Sequence, residues 1–224
     1  SIPHPLFFFF FFNALFYRGV SGKNLYYYIK KNDKAEIESI IAKAAFWFAK
    51  LHKLKTYGHL IFNEPNSRIE TVLPGMRHIL ERIKKDYPQY AETFLMIYKT
   101  IDKQEKDFLA STDKRWLIHG DAHPENIIRM SRDKIGVIDF SDFCVSDFAR
   151  DLGSFIQQVG YMSNRKIGDV TYTKKLQKLF LDSYFRNAKI KMNDDLKNRI
   201  DNYYNWTTMR TATHFLIKDG PDPE

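Results

Sequence analysis

Between the apolar pairs Leu117-Ile118 and Ile127-Ile128 the chain sets His119, Asp121, His123, Glu125 and Asn126, and Asp139 closes the apolar run that follows. So many polar groups inside a hydrophobic stretch are costly to bury unless they act together. Asp121 and Asn126 fall in the spacing H-x-D-x-x-x-x-N. A carboxylate in such a loop can orient a substrate hydroxyl and receive its proton late, while amide and carboxylate oxygens suit a hard cation such as magnesium. Metal-assisted phosphoryl transfer needs both. A second chemistry uses the same stretch: His119, Asp121 and His123 form an H-x-D-x-H cluster whose nitrogen and carboxylate groups suit zinc, as in a metal-dependent hydrolase. Gly120 and Pro124 fit a tight turn better than the extended strand that cluster requires.

The elements that must position these groups can be read from the pattern. Trp116 to Ile118, Ile127 to Met130 and Ile135 to Ile138 are short apolar strands, the last two joined by the turn Ser131-Arg132-Asp133-Lys134. A four-residue turn sets Met130 opposite Ile135 and Asn126 opposite Asp139. Directly paired residues keep their Cβ atoms roughly 4.5–5.5 Å apart, close enough for an amide and a carboxylate to share one cation. His119 is expected to pack beneath the loop, Asp147 to cap a helix, and Asp142 to sit in a solvated loop or reach metal or substrate. His123 has no assigned role.

Most of the remaining chain is helical in rhythm. Ile37, Ile40, Ile41, Ala44, Ala45, Phe48 and Leu51 predict a long amphipathic helix over Ala35 to Leu54. Further helices are expected over Ile69 to Lys85, Tyr90 to Leu109, Leu152 to Met162, Thr173 to Ala188 and Asp194 to Ile217, with a loop over Tyr57 to Ser67 and a frayed tail from Asp219. The Phe7 to Phe12 run is far shorter than the roughly 20 residues of a membrane-spanning helix and reads as a strand buried on both faces. Ala14 to Tyr17 is its neighbour. The Tyr26 to Tyr28 and Phe46 to Phe48 clusters read as core or lobe contacts and not as a stacking platform for bases.

At 224 residues and 44% hydrophobic content the chain can bury one sizeable core, or one domain with a fragment of another. A net charge of +8 favours anionic ligands. Its lysines are spread around helical faces and not gathered in a block, so neither a nucleic-acid nor a membrane partner is expected. The single cysteine, Cys144, cannot form an internal disulfide, and a reducing cytoplasm is the simplest setting.

His119-Gly120-Asp121-Ala122-His123-Pro124-Glu125-Asn126, then Val137-Ile138-Asp139-Phe140, then Ser146 to Gly153 resemble the aminoglycoside phosphotransferase family, relatives of choline kinases and protein kinases. Leu51-His52-Lys53-Leu54 resembles the end of that family's long helix, and Ile2 to Leu6 with Val20 to Leu25 its strand pair and hinge. The resemblance implies an α+β, mostly helical fold: a protein-kinase-like C-terminal lobe with a short catalytic hairpin over residues 21–224, and a remnant of N-lobe strands and hinge over residues 1–20. It implies ATP and Mg²⁺ as cofactors and a small-molecule hydroxyl as acceptor. Asp121 would be the base, Asn126 and Asp139 the metal ligands, and His119 and Asp151 structural supports.

Adenine would lie against the hinge at Phe16, Tyr17, Arg18 and Val20, with Ile138 beneath it. Arg18 and Gly19 stand where the family more often carries an acidic and an aromatic residue. The family's phosphate-covering loop and phosphate-gripping lysine would belong before Ser1, so the chain is expected to be incomplete for activity, with an N-lobe segment packing on Phe7 to Tyr17. A non-catalytic kinase-like binding lobe is the other outcome. Lys174, Lys175, Lys178, Lys189, Lys191 and Lys197 give the C-terminal helices a basic lean that argues against cationic antibiotics as acceptors.

Overall fold

The computed structural model describes residues 2–55, 63–72 and 75–219. Part of the loop expected over Tyr57 to Ser67, including Gly58, and the tail after Asp219 lie outside them. The chain opens with strands β1 (His4–Phe9), β2 (Ala14–Arg18) and β3 (Lys23–Asn24), then helices α1 (Leu25–Lys31), α2 (Lys34–Leu51), α3 (Met76–Asp86) and α4 (Pro88–Ser111). Strands β4 (Trp116–Ile118), β5 (Ile127–Arg129), β6 (Ile135–Val137) and β7 (Cys144–Ser146) follow, and helices α5 (Ala149–Ile167), α6 (Val170–Ala188) and α7 (Asp194–Asp219) complete it. Among the described residues no helix is long and apolar enough to cross a membrane.

The chain divides into two compact units. The first comprises residues 1–50, 122–140 and 158–189. Its core is the apolar stripe of α2, where Ile37, Ile40, Ile41, Ala44, Ala45 and Phe48 are all fully buried, joined by Leu25, Ile29, Ile127, Val137, Leu176 and Phe180. Asn24 starts α1 by accepting the Tyr27 amide at 2.9 Å, and Asn32 ends it in a left-handed conformation, φ +52°. Strands β3, β5 and β6 form an antiparallel sheet. That sheet is tied to α2 at two points: Arg129 donates both Nε and Nη2 to the Glu36 carboxylate at 2.5 and 2.7 Å, and Lys43 Nζ donates to the Arg132 carbonyl at 2.7 Å. The paired fork fixes the hairpin's tilt on the helix.

The Phe run departs from the continuous buried strand its composition predicts. Only its first half belongs to β1; Phe10–Phe12 form a single 3-10 turn, and Asn13, at φ +47°, reverses the chain into β2. Phe10, Phe11 and Phe12 are 84%, 85% and 71% exposed; Phe12 stacks on Phe9 and meets Phe11 edge-on, and Phe10 meets Phe8 edge-on, instead of filling a core.

The second unit comprises residues 51–121, 141–157 and 190–224. Strand β4 pairs antiparallel with β7, a strand absent from the sequence expectation. Helices α3, α4 and α7 pack together over Ile79, Ile83, Ile101, Ile200, Tyr203 and Trp206. The helix expected from Ile69 starts only at Met76. Buried Glu105, on α4, accepts the Ile69 amide at 2.9 Å and the Tyr203 hydroxyl at 3.0 Å, which holds residues 69–72 as turns. Cys144 is buried in β7, its thiol pushed up to about 12 by burial, with Sγ 3.2 Å from the Asn66 carbonyl oxygen.

Burial raises the Glu105 carboxyl above its ordinary value of 4.5, against the Ile69 and Tyr203 hydrogen bonds and the Arg150 charge, which lower it. A raised carboxyl contributes stability that is fully present below the unfolded value and is lost as pH rises through the folded one. Glu105→Gln keeps an acceptor for the Ile69 amide and turns an NH2 donor toward the oxygen of the Tyr203 hydroxyl. It is expected to remove this loss: urea titrations should show wild type falling relative to the variant as pH rises above 4.5.

Candidate active site

In the first unit, Asn126 and Asp139 occupy the open end of the β5–β6 hairpin, but one step out of the expected register. Ile127 pairs with Val137 and Arg129 with Ile135, and the Ile138 amide donates to the Asn126 carbonyl at 3.1 Å. Asn126 therefore faces Ile138, and Asp139 lies one residue beyond. The shift arises at the turn: Met130 and Ser131 both donate to the Lys134 carbonyl, so only residues 131–133 lie outside the ladder. Asp139 then takes φ +62°, a left-handed conformation that costs a non-glycine residue roughly 1–3 kcal/mol and redirects the chain as it leaves the sheet. Asn126 is 5% exposed and Asp139 exposed.

Val20 lies over β6 so closely that a Cβ at Gly136 would overlap its side chain. Phe16, Tyr17 and Arg18 are exposed on β2, with Phe16 stacked on Phe7 at 4.6 Å, and Ile138 is half-buried. His123 accepts the Glu125 amide at 3.3 Å, which starts the 3-10 turn Pro124–Asn126 leading into β5.

In the second unit, the loop leading to Asp121 is held by one buried carboxylate. Asp151, in the first turn of α5, accepts the His119 amide on Oδ2 at 2.7 Å and the Gly120 amide on Oδ1 at 2.9 Å. Its Oδ2 also lies 3.0 Å from His52 Nε2. Burial pushes this carboxyl up, yet the hydrogen bond and charge of His52, with His119 beside it, outweigh burial and leave it below its ordinary value. His119 is fully buried, and its Nδ1 accepts the Asp121 amide at 3.3 Å. Asp121 itself is half-buried.

Gly120, at φ +82°, tolerates no side chain, because a Cβ there would overlap the Asp142 carbonyl oxygen. Arg150 is buried and donates to the Asn66 carbonyl at 2.5 Å and the Gly120 carbonyl at 3.3 Å. Asn66 Nδ2 in turn holds Asp142 Oδ1 at 3.0 Å. Asp147 accepts the Ala149 amide at 3.1 Å and Arg199 Nη1 at 2.6 Å.

His52, Asn66 and Arg150 escaped the sequence reading. His52 and Arg150 carried a signal, since they fall inside the family-like stretches Leu51 to Leu54 and Ser146 to Gly153; Asn66 reaches the loop over a separation that leaves no local pattern. The H-x-D-x-H cluster finds no support: among the described residues no group of three or more His, Cys, Asp or Glu side chains is arranged to hold a metal ion, and His119 spends Nδ1 on the loop itself.

The family model described as "Phosphotransferase enzyme family" matches residues 11–186. The chain belongs to this phosphotransferase family. Solved structures similar to it share the protein-kinase-like fold. Choline kinase from Cryptosporidium parvum superposes with a TM-score of 0.61 at 14% identity, over 95% of this chain and 65% of that one. An aminoglycoside phosphotransferase from Streptomyces rimosus, solved with ADP and streptomycin, gives 0.60 at 16% identity, over 93% and 75%. Plasmodium vivax ethanolamine kinase gives 0.56 at 17%, over 100% and 63%. This phosphotransferase-family chain thus spans about two thirds to three quarters of the length of these neighbours. The search of curated proteins returns no match.

Removing the Asp151 charge leaves two amides and an imidazole facing a neutral group. Asp151→Asn is expected to cost roughly 3 kcal/mol at pH 7, the usual scale for breaking a buried charged pair. Because the wild-type carboxyl is depressed, its stabilisation is present above the ordinary value of 3.8 and lost as pH falls through the folded value. Denaturant melts of the two proteins should therefore converge as pH drops below 3.8.

Proposed function

We propose that this chain belongs to an ATP-dependent kinase that transfers the γ-phosphoryl group to a hydroxyl of a small molecule. The observation that carries the reading is the Asp151 clamp. It fixes the two residues before Asp121, so this carboxylate has a set position at the loop's end with little backbone freedom left to lose in the transition state. Asp121 orients the acceptor hydroxyl and takes its proton. The acceptor oxygen then forms a bond to the γ-phosphorus while the bond from that phosphorus to the bridging oxygen breaks, and ADP leaves with the electron pair.

Asn126 and Asp139 are the residues to hold magnesium. Their oxygens are the donors it prefers, and it takes few ligands from protein. When bound, the ion offsets charge on the nucleotide phosphates. The strand backbone from Phe16 to Val20, with Ile138, is the place for adenine, where the close approach of Val20 to Gly136 brings the two segments of that floor together. ADP in the Streptomyces rimosus structure agrees with a nucleotide as donor.

Asp121→Asn keeps the shape and loses the base. With Mg-ATP and an acceptor that wild type turns over, kcat is expected to fall about 10²–10⁴-fold, the usual contribution of a positioned general base, while nucleotide affinity stays unchanged. An equal rate in wild type and variant would remove Asp121 from the chemistry. Asn126→Ala is expected to raise the Mg²⁺ concentration needed for half-maximal rate about tenfold or more. A Mg²⁺ titration reads this directly.

A further inference from the structure

Helix α7 meets α5, the helix whose first turn clamps the loop before Asp121, in a backbone-to-backbone crossing. A Cβ at Gly153 of α5 would overlap the Ile200 carbonyl oxygen and crowd the Tyr204 amide, so only glycine lets the two helices touch. One residue on, Ser154 Oγ and Thr207 Oγ1 lie 2.9 Å apart. From this crossing α5 runs back one turn to Arg150, which donates to the Gly120 carbonyl beside Asp121. Helix α7 runs forward about one turn to Arg210, whose guanidinium is half-buried with the Trp206 ring centre 5.9 Å away.

Burial and the Arg150 charge pull the Arg210 guanidinium below its ordinary value, while the charges of Asp121 and Asp142 pull it up. Arg150 spends its guanidinium on the carbonyls of Asn66 and Gly120. Arg210 does not: among the described residues it meets the Trp206 ring and the charges of Arg150, Asp121 and Asp142. A half-buried guanidinium near a second one is costly unless an anion meets it, and its planar fork fits a carboxylate or phosphate edge.

We infer that Arg210 determines the acceptor: it binds an oxyanion, carboxylate or phosphate, carried by the same molecule that presents its hydroxyl to Asp121. This rests on the phosphotransfer reading and names the substrate class. A polycationic acceptor would meet Arg150 and Arg210 as like charges; an anionic alcohol meets a fork beside a base.

The test compares this chain with Arg210→Gln and Arg210→Lys. ADP release with Mg-ATP is measured for four acceptor classes: hydroxy acids, sugar phosphates, neutral polyols and kanamycin. Wild type is expected to prefer one of the anionic classes, and which one identifies the oxyanion. In Arg210→Gln the KM for that acceptor should rise about 10–100-fold, the scale of a lost charge-assisted hydrogen bond, with kcat and the KM for ATP little changed. Arg210→Lys, which keeps charge without the fork, should recover part of the loss. Equal KM values in wild type and Arg210→Gln, or fast turnover of kanamycin or neutral polyols over both anionic classes, overturns the inference and leaves the kinase reading standing. If no acceptor yields ADP, calorimetry with the same hydroxy acids and sugar phosphates decides Arg210 without turnover: tighter binding to wild type than to Arg210→Gln supports it, equal or absent binding rejects it. Matching thermal melts of all three proteins exclude a folding defect.

Discussion

The second unit is organised around the Asp151 carboxylate. It lies at the start of α5, so two amides from the loop reach it together with the local field of a helix N-terminus, which favours negative charge. His52 supplies the third contact from directly after α2. An ionised group sealed from water is tolerated only when each oxygen is satisfied, and here both are. The result is a loop whose backbone is determined by residues far from it in the chain, with Gly120 bent to a conformation that side chains resist and Arg150 closing the other side.

Other buried carboxylates in the same unit show the opposite balance. Burial is the largest influence on both Asp147 and Glu105 and leaves each above its ordinary value, despite Arg199 at 2.6 Å from the first and the Ile69 amide on the second. Asp147 Oδ2 has no hydrogen-bond partner among the described residues. Two partners on each of Asp147 and Glu105 do not offset burial, whereas the His52 imidazole, with the His119 charge and two amides, does so on Asp151.

Much of the frame was legible in the sequence, because helices write their burial into a local period. The stripe of α2 falls on the residues its rhythm selects, and α4, α6 and α7 start within three residues of their expected positions. The two strands at residues 127 and 135 were equally plain. Their register was not, since a single extra rung at Met130–Lys134 moves Asn126 from Asp139 to Ile138, and composition does not distinguish a three-residue turn from a four-residue one. The late start of α3 has the same origin: Glu105, 36 residues away, captures the Ile69 amide, and a periodic pattern gives no warning of such competition. The Phe run misled for a different reason. Its apolarity matches a buried strand, but Asn13 admits a left-handed turn that ends the pairing early.

The lone thiol carries a practical consequence. Cys144 is sealed in β7 and shifted to about 12, so almost none of it is thiolate near neutrality, and thiolate is the species that reacts with maleimides and oxidants. Native chemistry is therefore silent toward such reagents. A cysteine placed on an exposed position of α7 would take a fluorophore or spin label by itself, turning the wild-type background into a ready scaffold for distance measurements.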